Sequence, residues 1–246
     1  MKRLLVALFL IAAPGYAQEA VDGFVPRVFK NVVGRIMPYR LFIPENYDKD
    51  KAYPLIVWLH GAGGVGNDNL RQIQEDQLLG THVWTSPENQ ERYPAFVVAP
   101  QAPGPWASSG RSVMSQELIL VTGVIDTVQS QYNIDPNRLY IAGQSDGGFG
   151  VWTFITNRPD MFATAIPVCG GGNPSYAARV AHMPIWGFHG KQDDVISVEE
   201  SRNMVEALKK AGGKPRYTEY GSVGHDVWKR AFTDPDLPEW LFSQHK

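Results

Sequence analysis

A serine, an acid and a histidine, met in that order along the chain, are the residues with chemistry to offer. Ser145 sits in Gly143-Gln144-Ser145-Asp146-Gly147, a G-x-S-x-G pattern. The apolar run Leu139-Tyr140-Ile141-Ala142 enters this pattern, and a helical run leaves it from Gly148. A serine on a sharp strand-to-helix turn has a strained backbone and needs small residues two places before and two after it. Its hydroxyl then projects from the sheet edge, and the helix that follows aims free N–H groups at developing negative charge. The chemistry is attack by an activated hydroxyl. The pattern alone recurs by accident in glycine-rich chains, so its context decides.

The acid and the histidine lie downstream. Ile185-Trp186-Gly187-Phe188-His189 reads as a buried strand ending in a polar turn that holds Asp193 and Asp194. Strand-like Arg216-Tyr217-Thr218-Glu219-Tyr220 leads to Val223-Gly224-His225-Asp226-Val227-Trp228. Open parallel sheets hold ligands at the C-terminal ends of their strands, where all three candidates fall. Six histidines are present, and only His225 has the right order and position. His60 and His189 read as braces of their own turns.

Upstream, Tyr53-Pro54-Leu55-Ile56-Val57-Trp58-Leu59 is a continuous apolar run, hence a buried strand. It ends in His60-Gly61-Ala62-Gly63-Gly64. Glycines at a strand end let backbone N–H groups face a site without side-chain obstruction. A loop at this place supplies one oxyanion donor and the residue after the nucleophile supplies the other, which nominates the amides of Ala62 and Asp146. Nucleotide readings are weak: there is no G-x-x-x-x-G-K-S/T, and no G-x-G-x-x-G opens a first strand.

The segments LHGAGG, VVAPQAPGPW, IAGQSDGGFG, FHGKQDDVIS and GHDVWKRAF resemble those of α/β-hydrolases. Within that superfamily they are similar to the compact serine esterases of the phospholipase/carboxylesterase and polyhydroxybutyrate-depolymerase-like group, which includes feruloyl and acetylxylan esterases. The resemblance implies an α/β-hydrolase fold: a mostly parallel central sheet flanked by helices, with no large lid domain. It implies Ser145 as nucleophile, His225 as general base and Asp193 as the orienting acid, because relatives with H-G-x-x-D use the aspartate at this place. Asp194 would then point away. This chain departs from the pattern at Val195-Ile196-Ser197, where relatives often carry a proline. The implied reaction is carboxylic-ester hydrolysis through an acyl-enzyme, on short-chain, acetyl or feruloyl esters, free or linked to a polysaccharide. Two other readings stand beside it. One is a serine peptidase of the prolyl-peptidase type, which usually carries an extra gating domain; the other is a non-catalytic secreted binding protein with the same fold.

Composition is consistent with one enzyme domain. The net charge of −2 comes with no basic run, so neither nucleic acid nor an anionic membrane is an expected partner. No H-E-x-x-H or dense His/carboxylate cluster appears, so no metal or other cofactor is expected. Cys169 is the single cysteine, which excludes an internal disulfide, and it reads as a small buried residue. Met1-Lys2-Arg3, the apolar Leu4 to Ala13 and Gly15-Tyr16-Ala17 read as a secretory signal over residues 1–17. Residues 18–246 then form a single catalytic domain, secreted or periplasmic and without a membrane anchor.

The elements that must position the site alternate strand and helix. Val28 to Val32 and Ile36 to Ile43 form a hairpin around Gly34. A helix capped by Asn67 or Asp68 runs to about Leu79, and Ala95 to Ala99 is a strand. Further helices span Val113 to Tyr132, Gly148 to Asn157, Val198 to Ala211 and Leu237 to Gln244. Specificity must come from loops. Trp106, on the loop Pro100 to Trp106, is expected to arch over the cleft as a stacking surface for a sugar or cinnamoyl ring. Trp228 either walls the acyl pocket or packs under the histidine loop. Thr81 to Pro87, with Trp84, is a candidate rim.

Overall fold

Apolar runs buried on both faces become the central strands of one eight-stranded sheet, with the mixed segments Phe24–Lys30 and Arg216–Tyr220 at its edges. The computed structural model describes residues 19–108 and 111–246; the signal expected over residues 1–17 lies outside the described residues. The strands are β1 (Phe24–Lys30), β2 (Ile36–Phe42), β3 (Tyr53–Leu59), β4 (Phe96–Pro100), β5 (Ile134–Gln144), β6 (Thr164–Val168), β7 (Trp186–Gly190) and β8 (Arg216–Tyr220). Their order is β1-β2-β4-β3-β5-β6-β7-β8. The β1–β2 hairpin is antiparallel, and β2 also runs antiparallel to β4. Every other pairing is parallel.

Alternation along each parallel strand feeds two cores, as expected of strands covered on both faces. Leu55, Val57 and Leu59 of β3 face one core with Leu139 and Ile141 of β5. Helices α3 (Gln116–Gln131), α4 (Asp146–Asn157) and α5 (Glu199–Lys210) cover that face through Val121, Val151 and Met204. Ile56 and Trp58 face the other core with Tyr140 and Ala142. There α1 (Leu78–Thr85), α6 (Trp228–Ala231) and α7 (Leu237–Phe242) contribute Trp84, Trp228 and Leu241. A short α2 (Pro87–Arg92) follows α1, its first turn capped by the Ser86 hydroxyl, which accepts from the Asn89 amide. Between β6 and β7 lies only a 3-10 segment, Pro174–Val180, so the scaffold is a sheet flanked by helices.

Register places the site. Leu59 pairs with Gly143 and Gln144 pairs with Val168, so the loops after β3, β5 and β6 leave the sheet side by side. Phe188 and Thr218 pair between β7 and β8, which brings the turns holding Asp193 and His225 to the same edge.

The segment after β3 corrects the sequence reading. The helix expected from Asn67 or Asp68 to Leu79 is instead two 3-10 turns, Arg71–Ile73 and Glu75–Gln77, followed by α1. Asp68 does cap the first turn, accepting from the amides of Leu70 and Arg71. Asn69 and Glu75, however, take positive φ values of 56° and 49°. Distant partners hold this path: the Asn69 amide donates to Gln101 Oε1, and Gln72 Nε2 donates to Ala99 O. Thr81 to Pro87 is not a rim either, because Trp84 is wholly buried against Phe232 and Phe242.

Candidate active site

Ser145 adopts φ 55°, ψ −118°, a conformation that costs a non-glycine residue about 1–3 kcal/mol and persists only where the surroundings enforce it. Its amide donates to Val168 O at 2.9 Å, locking it to β6. The turn closes so tightly that a Cβ on Gly147 would lie 2.0 Å from Leu59 O, and one on Gly143 would lie 2.6 Å from Gly147 O. These two positions require glycine.

The hydroxyl so presented meets a histidine. Ser145 Oγ lies 3.0 Å from His225 Nε2, and His225 Nδ1 lies 2.8 Å from Asp193 Oδ2. The Asp193 side chain is fully buried, whereas that of His225 is partly open to solvent. The other carboxylate oxygen, Oδ1, accepts the amides of Val195 and Ile196 at 3.0 and 2.8 Å. Burial alone would raise the Asp193 carboxyl; the Ile196 amide, the His225 ring and the Val195 amide together hold it below the usual carboxylate range. An ionised acid here makes His225 Nδ1 the donor and leaves Nε2 to accept from the serine hydroxyl. Asp194 is exposed. Asp226 is also exposed and pairs with Lys229, so neither competes for the ring.

The glycine loop lies against the serine. A Cβ on Gly61 would come within 3.5 Å of Ser145 Cβ. The Gly61 amide donates to Gln77 Oε1 at 2.7 Å, and His60 pins the loop from beneath. Its Nδ1 bonds Gly61 O at 2.8 Å and its Nε2 accepts from the Ala102 amide at 3.0 Å. Burial pushes the His60 ring down to about 4, against the opposing effect of the Gly61 bond, so it stays neutral. Among the described residues, the amides of Ala62 and Asp146 donate to no turn or loop carbonyl.

Trp106 is the clearest correction. The ring expected to stack on substrate is completely buried. Its Nε1 donates to His60 O at 2.9 Å, and its ring centroid lies 4.7 Å from that of His60, tilted by 53°. Its amide donates to Asp146 Oδ2 at 3.0 Å. Trp106 thus ties the loop after β4 to the residue after Ser145. Trp228 takes the packing alternative: it is 8% exposed and meets His225 edge-on, with centroids 5.2 Å apart at 90°. Sequence reasoning missed Gln77 and the Asp146 carboxylate as supports, because their partners lie far away in the chain and leave no local signal.

Among the described residues, one group of His, Cys, Asp and Glu is compact enough for a metal: Cys169, Asp193 and His225. Two of its members already bond each other, and burial raises the Cys169 thiol far above its ordinary value, keeping it protonated. A cavity of about 640 Å³ lined by Tyr53, Pro54, Arg138 and Phe242 opens at the N-terminal ends of β3 and β5, the edge opposite Ser145. No described helix is long and apolar enough to cross a membrane.

Residues 30–227 match the family model described as "Putative esterase". The chain belongs to this esterase family of carboxylic ester hydrolases, with the α/β-hydrolase fold. It is 41% identical to a solved thermostable esterase, with a TM-score of 0.87, covering 92% of this chain and 64% of that one. It is 27% identical to "Probable feruloyl esterase C" of Aspergillus terreus, covering 87% of this chain and 77% of that protein. A bifunctional acetylxylan esterase/xylanase of Neocallimastix patriciarum is 27% identical over 72% of this chain, which spans 24% of that protein.

Proposed function

We propose that this protein hydrolyses short or compact carboxylic esters by two-step acyl transfer to water, with Ser145 as nucleophile. The observation that carries the reading is the hydrogen-bonded chain from Ser145 through His225 to Asp193, at 3.0 and 2.8 Å, built on a strained elbow. His225 Nε2 takes the serine proton as Oγ attacks the ester carbonyl, and Asp193 stabilises the imidazolium that forms. The Ala62 and Asp146 amides receive the oxyanion, where fixed dipoles act without reorganisation. His225 then protonates the leaving alcohol and activates water, which releases the acid and restores Ser145. The relatives named for feruloyl and acetylxylan esters point to aromatic or acetyl groups carried on polysaccharide, met outside the cytoplasm after secretion or export to the periplasm.

The test is a panel on the purified mature protein: p-nitrophenyl esters of increasing chain length, methyl ferulate, acetylated xylan and a peptide anilide, for the native chain and Ser145→Ala. Ester turnover should fall by about 10⁴-fold in the variant with the fold retained. Full activity in Ser145→Ala would overturn the mechanism. Turnover of the anilide with no ester turnover would overturn the substrate class.

A further inference from the structure

We infer that His189 is a positioning residue for this reaction, a second imidazole set against the carboxylate that orients His225; this rests on the mechanism proposed above. His189 is the fourth residue of β7 and precedes Asp193 by one turn of chain. It is completely buried, whereas histidine as a type is only intermediate in burial. Its Nε2 bonds Ile196 O at 3.1 Å and stands 3.2 Å from Asp193 Oδ2, the same oxygen that meets His225. Its Nδ1 lies 2.7 Å from Ser201 Oγ on α5.

Hydrogen-bond accounting fixes the tautomer. A carbonyl and an ionised carboxylate have no proton to give, so the proton between them must sit on His189 Nε2. Burial lowers the affinity of this ring for a second proton, which leaves Nδ1 as a bare acceptor. The Ser201 hydroxyl has one proton and two acceptors in reach, His189 Nδ1 and Gly170 O at 2.8 Å.

The consequence falls on Asp193. Its Oδ1 is filled by two backbone amides, while Oδ2 bonds His225 and has His189 Nε2 3.2 Å away. A carboxylate has about four lone-pair directions; three hold hydrogen bonds and the His189 ring stands against the fourth, which opposes rotation away from His225. The His189 N–H holds the carbonyl of Ile196, whose amide bonds Oδ1. One proton therefore steadies both the acid and the turn that carries it. It also draws electron density from Oδ2 and tempers the pull of Asp193 on the His225 imidazolium. The titratable groups facing Asp193 are His225, His189 and the protonated Cys169 thiol.

Two polar variants separate this role from turn bracing. His189→Asn ends where Nδ1 stood, so it keeps a partner for Ser201 and loses the N–H toward Asp193. His189→Gln reaches the Nε2 place and restores that N–H. On a short p-nitrophenyl ester, kcat for His189→Asn should fall about tenfold, the size of one well-placed hydrogen bond. The acid limb of its kcat/KM profile should move to higher pH, because an untempered Asp193 holds the His225 proton more strongly. His189→Gln should recover most of both. Equal loss in the two variants with an unmoved acid limb, or no loss in either, would overturn the proposal. A measurement on the native protein needs no variant: nitrogen-15 NMR of labelled histidines should show His189 protonated at Nε2 alone, and protonation at Nδ1 alone would equally overturn it. Asp193→Asn run alongside keeps the two readings apart. If it is inactive while His189→Asn matches the native enzyme, only this inference fails; if it is fully active, the proposed mechanism fails first.

Discussion

The Asp146 carboxylate accepts the backbone N–H of Trp106 at 3.0 Å. This joins the residue after Ser145, whose own amide is the proposed oxyanion donor, to the loop that leaves β4. The contact fixes where that amide points, so it should govern turnover more than binding. Asp146→Ala should lower kcat about tenfold with KM little changed, because oxyanion donors act through placement. Asp146→Asn, whose amide oxygen still accepts from Trp106, should lose less. Steady-state kinetics on one short ester check both, and equal kcat in the Ala variant and the native enzyme would refute the link.

Trp106 itself belongs to stability. With its ring buried and its Nε1 bonded to His60 O, Trp106→Ala should cost about 3–5 kcal/mol, read as a lower denaturant midpoint. The ratio of methyl ferulate to acetyl ester turnover in the surviving folded protein should stay near the native value. A changed ratio with unchanged stability would restore Trp106 as a contact for substrate.

The two adjacent acids should separate cleanly. Asp193 is buried and bonded to His225, whereas Asp194 is exposed. Asp193→Asn should lose about 10⁴-fold in kcat, because the amide favours the wrong imidazole tautomer. Asp194→Asn should stay near the native rate. The reverse pattern would move the acid by one residue and leave Ser145 and His225 in place.

What the sequence made legible followed from local rules. Apolar runs such as Tyr53–Leu59 became strands because both sheet faces are covered, and the elbow was visible because Gly143 and Gly147 answer a purely local steric demand. Chain order and strand ends placed Ser145, Asp193 and His225 at one edge of the sheet. The misreadings share a cause. Trp106 looked like a loop aromatic, but its surroundings are His60 and Asp146, about 40 residues away on either side. The helix expected after Asp68 gave way because Asn69, Gln72 and Gln77 spend their polar groups on distant partners. His189 was seen only as a brace for its turn, since nothing in H-G-x-x-D tells which atoms the ring will face.

Stability should fall with acid through His60. The folded ring titrates at about 4, while the unfolded chain takes the proton near the ordinary value of about 6.5. Between those values the unfolded state binds more protons, so stability decreases as pH drops from about 6.5 to 4 and is flat from this source above 7. The full effect is about 3 kcal/mol. His189, also lowered by burial, acts in the same direction; Asp146, raised by burial, opposes it in the carboxylate range. Denaturant unfolding at pH 7, 5.5 and 4.5 should show the decline in the native protein and a shallower one in His60→Gln. Parallel declines in both would assign the effect to other groups.

Gly147 offers the sharpest steric prediction. It lies in the first turn of α4, two residues beyond Ser145, and an added methyl would stand 2.0 Å from Leu59 O and 2.8 Å from His60 O. Both atoms are backbone, at the point where β3 passes into the loop that carries Ala62, so neither can swing aside as a side chain could. Relief requires α4 to lift from β3, which separates the Ser145 turn from the Ala62 loop and spoils the proposed oxyanion pair. Gly147→Ala should therefore lose about 3 kcal/mol or more of stability, at the upper end of overpacking costs. The folded fraction should lose kcat as well, beyond what reduced folding explains. Gly104→Ala is the matched control, because nothing lies within 4 Å of its added methyl; it should leave both quantities near native. Urea midpoints and active-site titration with a serine-directed phosphonate measure the two effects separately. A Gly147→Ala protein with native midpoint and native kcat would mean that the helix and the strand do not meet as tightly as described.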